Sequence, residues 1–186
     1  MQSYIDDFYN FIGRWRTDYC VGSPMPESFR KKCSELFEYI YKNDNFQNSK
    51  VKNNTIIYRA IDISNIIYCN KKFNLDDLYY SFSKDIEGIQ GFCSFDKYLK
   101  NGKFILLECE SIDALDYEKL LDYLYEDYNP STDRYSKEHE VVSRLNKQSI
   151  KNIYYIRQLS DLENLDQCHH LALEDFKKSN LKKLIK

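Results

Sequence analysis

Three short stretches hold the side chains best suited to chemistry: Arg59 in TIIYRAI, Ser81 and Ser83 in LYYSFS, and Glu138 and Glu140 in YSKEHEVV. Val141 and Val142, after the second glutamate, mark a strand, and on a strand residues i and i+2 share a face. Glu138 and Glu140 would then stand side by side, and like charges so placed cost stability unless they are solvated or used. Read alone, EHE is most simply a solvated strand, SFS the polar alternation of a half-buried one, and Arg59 a surface strand arginine. The signals gain weight from their order and from the elements that carry them. His139 alternates away from the glutamates and is not expected to act as their base.

Periodicity makes those elements legible. Tyr4, Ile5, Phe8, Phe11, Ile12 and Trp15 recur at helical steps. After the break at GSPMP, Pro26 and Glu27 open a second helix through Phe29, Cys33, Leu36, Phe37, Ile40 and Tyr41. NDNFQNSKVKNN reads as a connection, and the texture then changes to short β-branched and aromatic runs. TIIYRAI, LYYSFS, FILLE, EHEVVSR and KNIYYIRQL are expected strands. KDIEGIQGFCSFDKYL is expected to be a helix with glycines on one face, and DYEKLLDYLYEDY an amphipathic one. SDLENLDQCHHLALEDFKKSNLKKLIK is expected to close the chain as a helix, with Ser160 as N-cap and Glu163 at capping-box spacing. Late strands separated by few residues imply antiparallel pairing, so the fold class is α+β.

An arginine preceded by an aromatic residue on an early strand, then Ser-x-Ser on a second strand before a helix, then E-x-E after a polar loop: this order resembles the arginine–serine–glutamate class of ADP-ribosyltransferases. A second E-x-E, Glu108-Cys109-Glu110, falls where that family has a core strand, so the resemblance selects Glu138 and Glu140. Phe82 stands where the family more often has a small residue. The resemblance covers roughly residues 55–158 and implies a split, mixed β-sheet core; with the helical readings above, one domain is expected, with an N-terminal helical segment over 1–52, that core over 53–160 and a C-terminal helix over 161–186. It implies a mono-ADP-ribosyltransferase with NAD as co-substrate. Glu140 would stabilise the cation that develops on the ribose as nicotinamide leaves. Arg59 would hold the NAD phosphates, and Ser81 would orient Glu140, with Ser83 in the same network or on the ribose. Tyr80 and Phe92 would contact nicotinamide. Glu138 would receive the proton of an acceptor guanidinium, which makes protein arginine the expected target, and Tyr135 in the preceding loop would face that acceptor. For Tyr80 and Phe92 a place in the core is the plainer reading.

Composition narrows the classes. The 186 residues include 17 Tyr, 11 Phe, 5 Gly and 3 Pro, enough for an aromatic core and too few breakers for a disordered chain. A net charge of −2 gives no global argument for nucleic acid. The five lysines of KKSNLKKLIK, with the many tyrosines, leave an RNA or DNA acceptor as the rival. A non-enzymatic binding module is the rival from another class. MQSYIDDFYNF lacks a basic and then apolar leader, so a cytoplasmic protein with no membrane span is expected. The six cysteines include no C-x-x-C and are expected to be reduced. Adjacent Cys168, His169 and His170 lack zinc spacing, so no metal is expected. No Walker loop or G-x-G-x-x-G is present, so NAD would be held without a Rossmann fold. By analogy, the expected role is a bacterial or phage effector or toxin, with room for an inhibitor or antitoxin partner.

Overall fold

The computed structural model describes residues 27–63, 75–95, 103–125, 129, 131 and 136–176. The expected first helix (4–15), the lysine tail (177–186) and Tyr135 lie outside the described residues. Helix α1 spans Glu27–Lys42 and buries Phe29, Cys33, Leu36, Phe37 and Ile40, the stripe its three- and four-residue spacing requires. A 3₁₀ segment, Asp44–Ser49, follows, with the Asn43 side chain accepting from the Asn45 amide. Then come strand β1 (Ile56–Asp62), β2 (Tyr79–Ser83), helix α2 (Ile86–Phe95), β3 (Phe104–Glu110) and β4 (Leu115–Asp116). Helix α3 (Tyr117–Leu124), β5 (Glu140–Arg144), β6 (Ile150–Ile156) and β7 (His169–His170) complete the order.

The strands form one sheet in the order β4-β5-β2-β1-β3-β6-β7. The expected α+β class holds. The expected mixed sheet does not, because every pairing among the described residues is antiparallel. Each described strand runs opposite to its neighbours in the sheet, so one antiparallel hydrogen-bond pattern continues across both ladders. β1 matches β3 along its whole length, from Ile56 opposite Glu110 to Asp62 opposite Phe104. Against β2 it matches at one point, Tyr58 opposite Ser83. The sheet is therefore two ladders, β4-β5-β2 and β1-β3-β6-β7, joined at a narrow seam.

β3 reads as an unbroken apolar run because Phe104, Ile105, Leu106 and Leu107 are all fully buried, on both faces. Phe104 and Leu106 pack with Ile89 and Cys93 of α2 and with Tyr154, Ile156 and Leu162. Ile105 and Leu107 pack on the other face with Ile57, Tyr80, Phe82, Val141 and Tyr155. Helices α1 and α3 share a third cluster around Tyr79, Leu115 and Val142.

The expected C-terminal helix is absent among the described residues. In its place stand 3₁₀ turns at Leu159–Glu163, Leu165–Gln167 and Leu173–Phe176, with β7 between the last two. Two competitors won over helical propensity. The Asp161 carboxylate accepts from the amides of Arg157 and Gln158, which fixes a tight turn with Gln158, not Ser160, at its cap. His169 and His170 then take the open edge of β6 opposite Tyr155 and Tyr154.

Ser143 tests the packing at the far edge of the sheet. Its side chain is fully buried, and its hydroxyl accepts from the Ile112 amide at 2.9 Å while donating to the Ile112 carbonyl at 3.0 Å. Ser143→Ala strands the Ile112 amide, while the Ile112 carbonyl keeps its bond from the Arg144 amide at 3.1 Å, and should cost about 1–3 kcal/mol, read as a lower urea midpoint with an unchanged m-value.

Candidate active site

Glu140 opens β5 opposite Ser83, Ser83 stands opposite Tyr58, Tyr58 opposite Glu108, and Glu108 opposite Asn152. Directly paired residues share a face. Five polar side chains thus form one row across five strands, on the face that α2 covers further along. At about 4.8 Å per strand, Glu140 and Glu108 are about 14 Å apart. Ser83 is the hydroxyl beside Glu140. Ser81, expected to orient Glu140, is opposite Val142 instead, one alternation further along the same face.

Glu138 and Glu140 do not share a strand. Glu138 ends a 3₁₀ turn, Ser136–Glu138, and Glu140 begins β5. Between them His139 has φ of 47°, the left-handed region that few non-glycine residues occupy. The expected side-by-side alternation therefore fails at its middle residue. Three contacts hold the turn in place. The His139 imidazole Nδ1 lies 2.9 Å from both oxygens of Asp85. The His139 carbonyl accepts from the Lys84 amide at 3.0 Å. Asp85 also caps α2, accepting from the Gly88 amide at 2.8 Å.

The glycine face of α2 receives the turn. A Cβ added at Gly88 would collide with the Glu138 carbonyl, and one at Gly91 with the Lys137 carbonyl. Glycine at these two positions is what lets the backbone carrying Glu138 and Glu140 lie against the helix.

Arg59 stands opposite Leu107, on the other face of the sheet from Ser83 and Glu140. Its guanidinium enters the seam and donates from Nη1 to the Ser81 carbonyl. It also lies 5.2 Å from the centre of the Tyr80 ring and 5.9 Å from that of Phe82. Burial lowers its pKa to about 10, against the opposing pull of Tyr80, Cys109 and Glu140, so it stays charged at neutral pH. The Glu140 charge is thus within electrostatic reach of Arg59 although the two side chains leave opposite faces.

Tyr80, expected at nicotinamide, is buried on the Arg59 face, and its hydroxyl donates to Asp76 at 2.6 Å. Phe92 packs on the α2 side with Tyr58 and Ala60. Glu108 accepts from Asn152 at 3.0 Å and from the Tyr154 hydroxyl at 2.9 Å, which makes it a held carboxylate on the same row as Glu140. Sequence reasoning passed over Asp85, although an aspartate directly before a helical run is a capping signal. It also missed Arg30 of α1, which contacts Tyr80 and which no local pattern marks.

Among the described residues no three His, Cys, Asp or Glu side chains gather in a metal-binding group, and no helix is long and apolar enough to cross a membrane. Comparison with protein-family models, curated proteins and solved structures gives no match.

The glycine face yields a prediction whose sign opposes propensity. Gly→Ala inside a helix ordinarily stabilises by about 0.8–1 kcal/mol. Gly91→Ala should instead destabilise by about 1–3 kcal/mol, the usual range for overpacking. A thermal melt checks this, and an increase in Tm would refute the docking of the Glu138 turn on α2.

Proposed function

We propose that the chain is an NAD-dependent mono-ADP-ribosyltransferase whose charge-stabilising carboxylate is Glu140. One observation carries the reading: Glu140 begins a strand beside Ser83, on a turn clamped by Asp85 and the glycine face of α2, with a half-buried arginine at the adjoining seam. In this reading the ligand lies along the seam between the two ladders, where side chains of both faces come near. An extended dinucleotide lying there has its ribose beside Glu140 and its phosphates beside Arg59.

The chemistry follows from the charges. The bond from ribose C1′ to the nicotinamide nitrogen breaks, its electron pair leaves with neutral nicotinamide, and an oxocarbenium cation is left on the ribose. A fixed carboxylate at Glu140 stabilises that cation more than it stabilises the ground state. The acceptor then forms a bond to C1′ and loses a proton. Glu138, half-buried at the end of the docked turn, takes the proton of an acceptor guanidinium. Protein arginine is therefore the proposed acceptor, with a nucleic-acid base as the rival within the same chemistry.

A second reading has an observation behind it. The Arg59 bond to the Ser81 carbonyl is a structural task, and a non-enzymatic binding module would need it as much as an enzyme would.

Nicotinamide release from NAD separates the readings. The full chain should release it, and Glu140→Gln should lower the rate by about 10²–10³-fold, the range for loss of one electrostatic stabiliser. Absence of release by the full chain, with or without an arginine-rich acceptor, would reject the enzyme. Glu138→Gln should abolish transfer to arginine while leaving hydrolysis of NAD. Equal loss of both activities would refute the separate roles, and label recovered in RNA or DNA would replace the arginine acceptor.

A further inference from the structure

The His139 ring is tied to its surroundings through one nitrogen. Nδ1 lies 2.9 Å from both oxygens of Asp85. Among the described residues nothing bonds to Nε2, and 36% of the side chain is exposed. A carboxylate at Nδ1 makes that nitrogen the donor, so the neutral ring keeps its lone pair on Nε2. Asp85 is itself fixed, since it caps α2 by accepting from the Gly88 amide at 2.8 Å. A fixed carboxylate, an imidazole oriented by it and a free lone pair on the far nitrogen are the parts by which histidine takes a proton from an oxygen nucleophile.

The pair stands at the candidate site. His139 is next in the chain to Glu138 on one side and to Glu140 on the other. Because its backbone is left-handed, strand alternation does not set the direction of its ring; Asp85 does. Burial first, and then the charges of Glu108 and Asp85, raise the pKa of Tyr58. Asp85 is therefore within electrostatic reach of the polar row that runs from Tyr58 through Ser83 to Glu140.

Two nucleophiles make different demands. A guanidinium arrives charged and is best met by a carboxylate, the role given to Glu138. Water arrives neutral, and an imidazole takes its proton and hands it on to solvent. We propose that Asp85 and His139 form the base that serves water, so that the site has two proton acceptors, Glu138 for transfer to arginine and His139 for hydrolysis of NAD. The water oxygen bonds to ribose C1′ as the bond from C1′ to nicotinamide breaks. The proton passes to Nε2 and then to solvent, and ADP-ribose and nicotinamide leave. This base rests on the NAD reading above.

The partition of products tests it. The full chain is given NAD and an arginine acceptor, and ADP-ribose on the acceptor is measured against free ADP-ribose. Both products come from folded molecules, so partial loss of fold does not move their ratio. His139→Asn is the informative variant. Asparagine tolerates the left-handed backbone and its amide donates to Asp85 in place of Nδ1, but it has no counterpart of Nε2. It should lower hydrolysis by about 10²-fold, the lower end of the range for a positioned base, and raise the ratio of transfer to hydrolysis by about the same factor. Asp85→Asn keeps an oxygen for the Gly88 amide but removes the charge that orients and stabilises the imidazolium, and should move the ratio the same way. If arginine takes no label, the hydrolysis rate of variants with unchanged Tm decides by the same factor. If the unaltered chain releases nicotinamide and His139→Asn leaves the ratio unchanged, or lowers transfer and hydrolysis together, the base is refuted and the NAD reading survives. No nicotinamide release from the unaltered chain rejects the NAD reading and this base with it.

Discussion

A backbone carbonyl taken out of water needs a donor, and in a sheet the donor is the next strand. At Ser81 the next strand has already parted: β1 and β2 register at Tyr58 and Ser83 and nowhere else. The Arg59 guanidinium supplies the missing donor. That substitution of a side chain for a strand is what lets the sheet divide into two ladders without leaving a buried acceptor unmet. It also fixes a cation at the seam between the ladders. The aromatic faces of Tyr80 and Phe82 line the charge, so its desolvation is partly offset where water is scarce.

The rest of the candidate site is built outward from that seam. β2 contributes Ser83 on one face and Tyr80 on the other, by simple alternation. β5 follows β2 in register and sets Glu140 beside Ser83. The turn that enters β5 has an unfavourable backbone angle at His139, and its cost is met by contacts on three sides: Asp85, the Lys84 amide and the two α2 glycines. A backbone held in this way loses little on ordering when a ligand arrives, which is one part of pre-organisation.

The elements most legible in the sequence were those with a single strong period. The stripe of Phe29, Cys33, Leu36, Phe37 and Ile40 fixed a helix, and the run FILLE marked a central strand buried on both faces. The glycines of α2 were visible as a face, although not what lay against it. Alternation misled at EHE, because period-2 reasoning assumes an uninterrupted strand and a left-handed residue at His139 interrupts this one. It misled again at the C-terminus, where helical periodicity in LENLDQCHHLALEDF lost to the Asp161 turn and to an open sheet edge, two tertiary facts with no local signature. The contact of Arg30 with Tyr80 joins residues 50 positions apart, and only the folded chain brings them together.

The central claim is that a dinucleotide crosses the seam and touches both faces of the sheet. A crystal structure of the Glu140→Gln variant with NAD tests it most directly. The account predicts the nicotinamide ribose beside position 140 and Ser83, and the pyrophosphate against Arg59. A dinucleotide bound wholly on one face, with no contact to the Arg59 guanidinium, would contradict it.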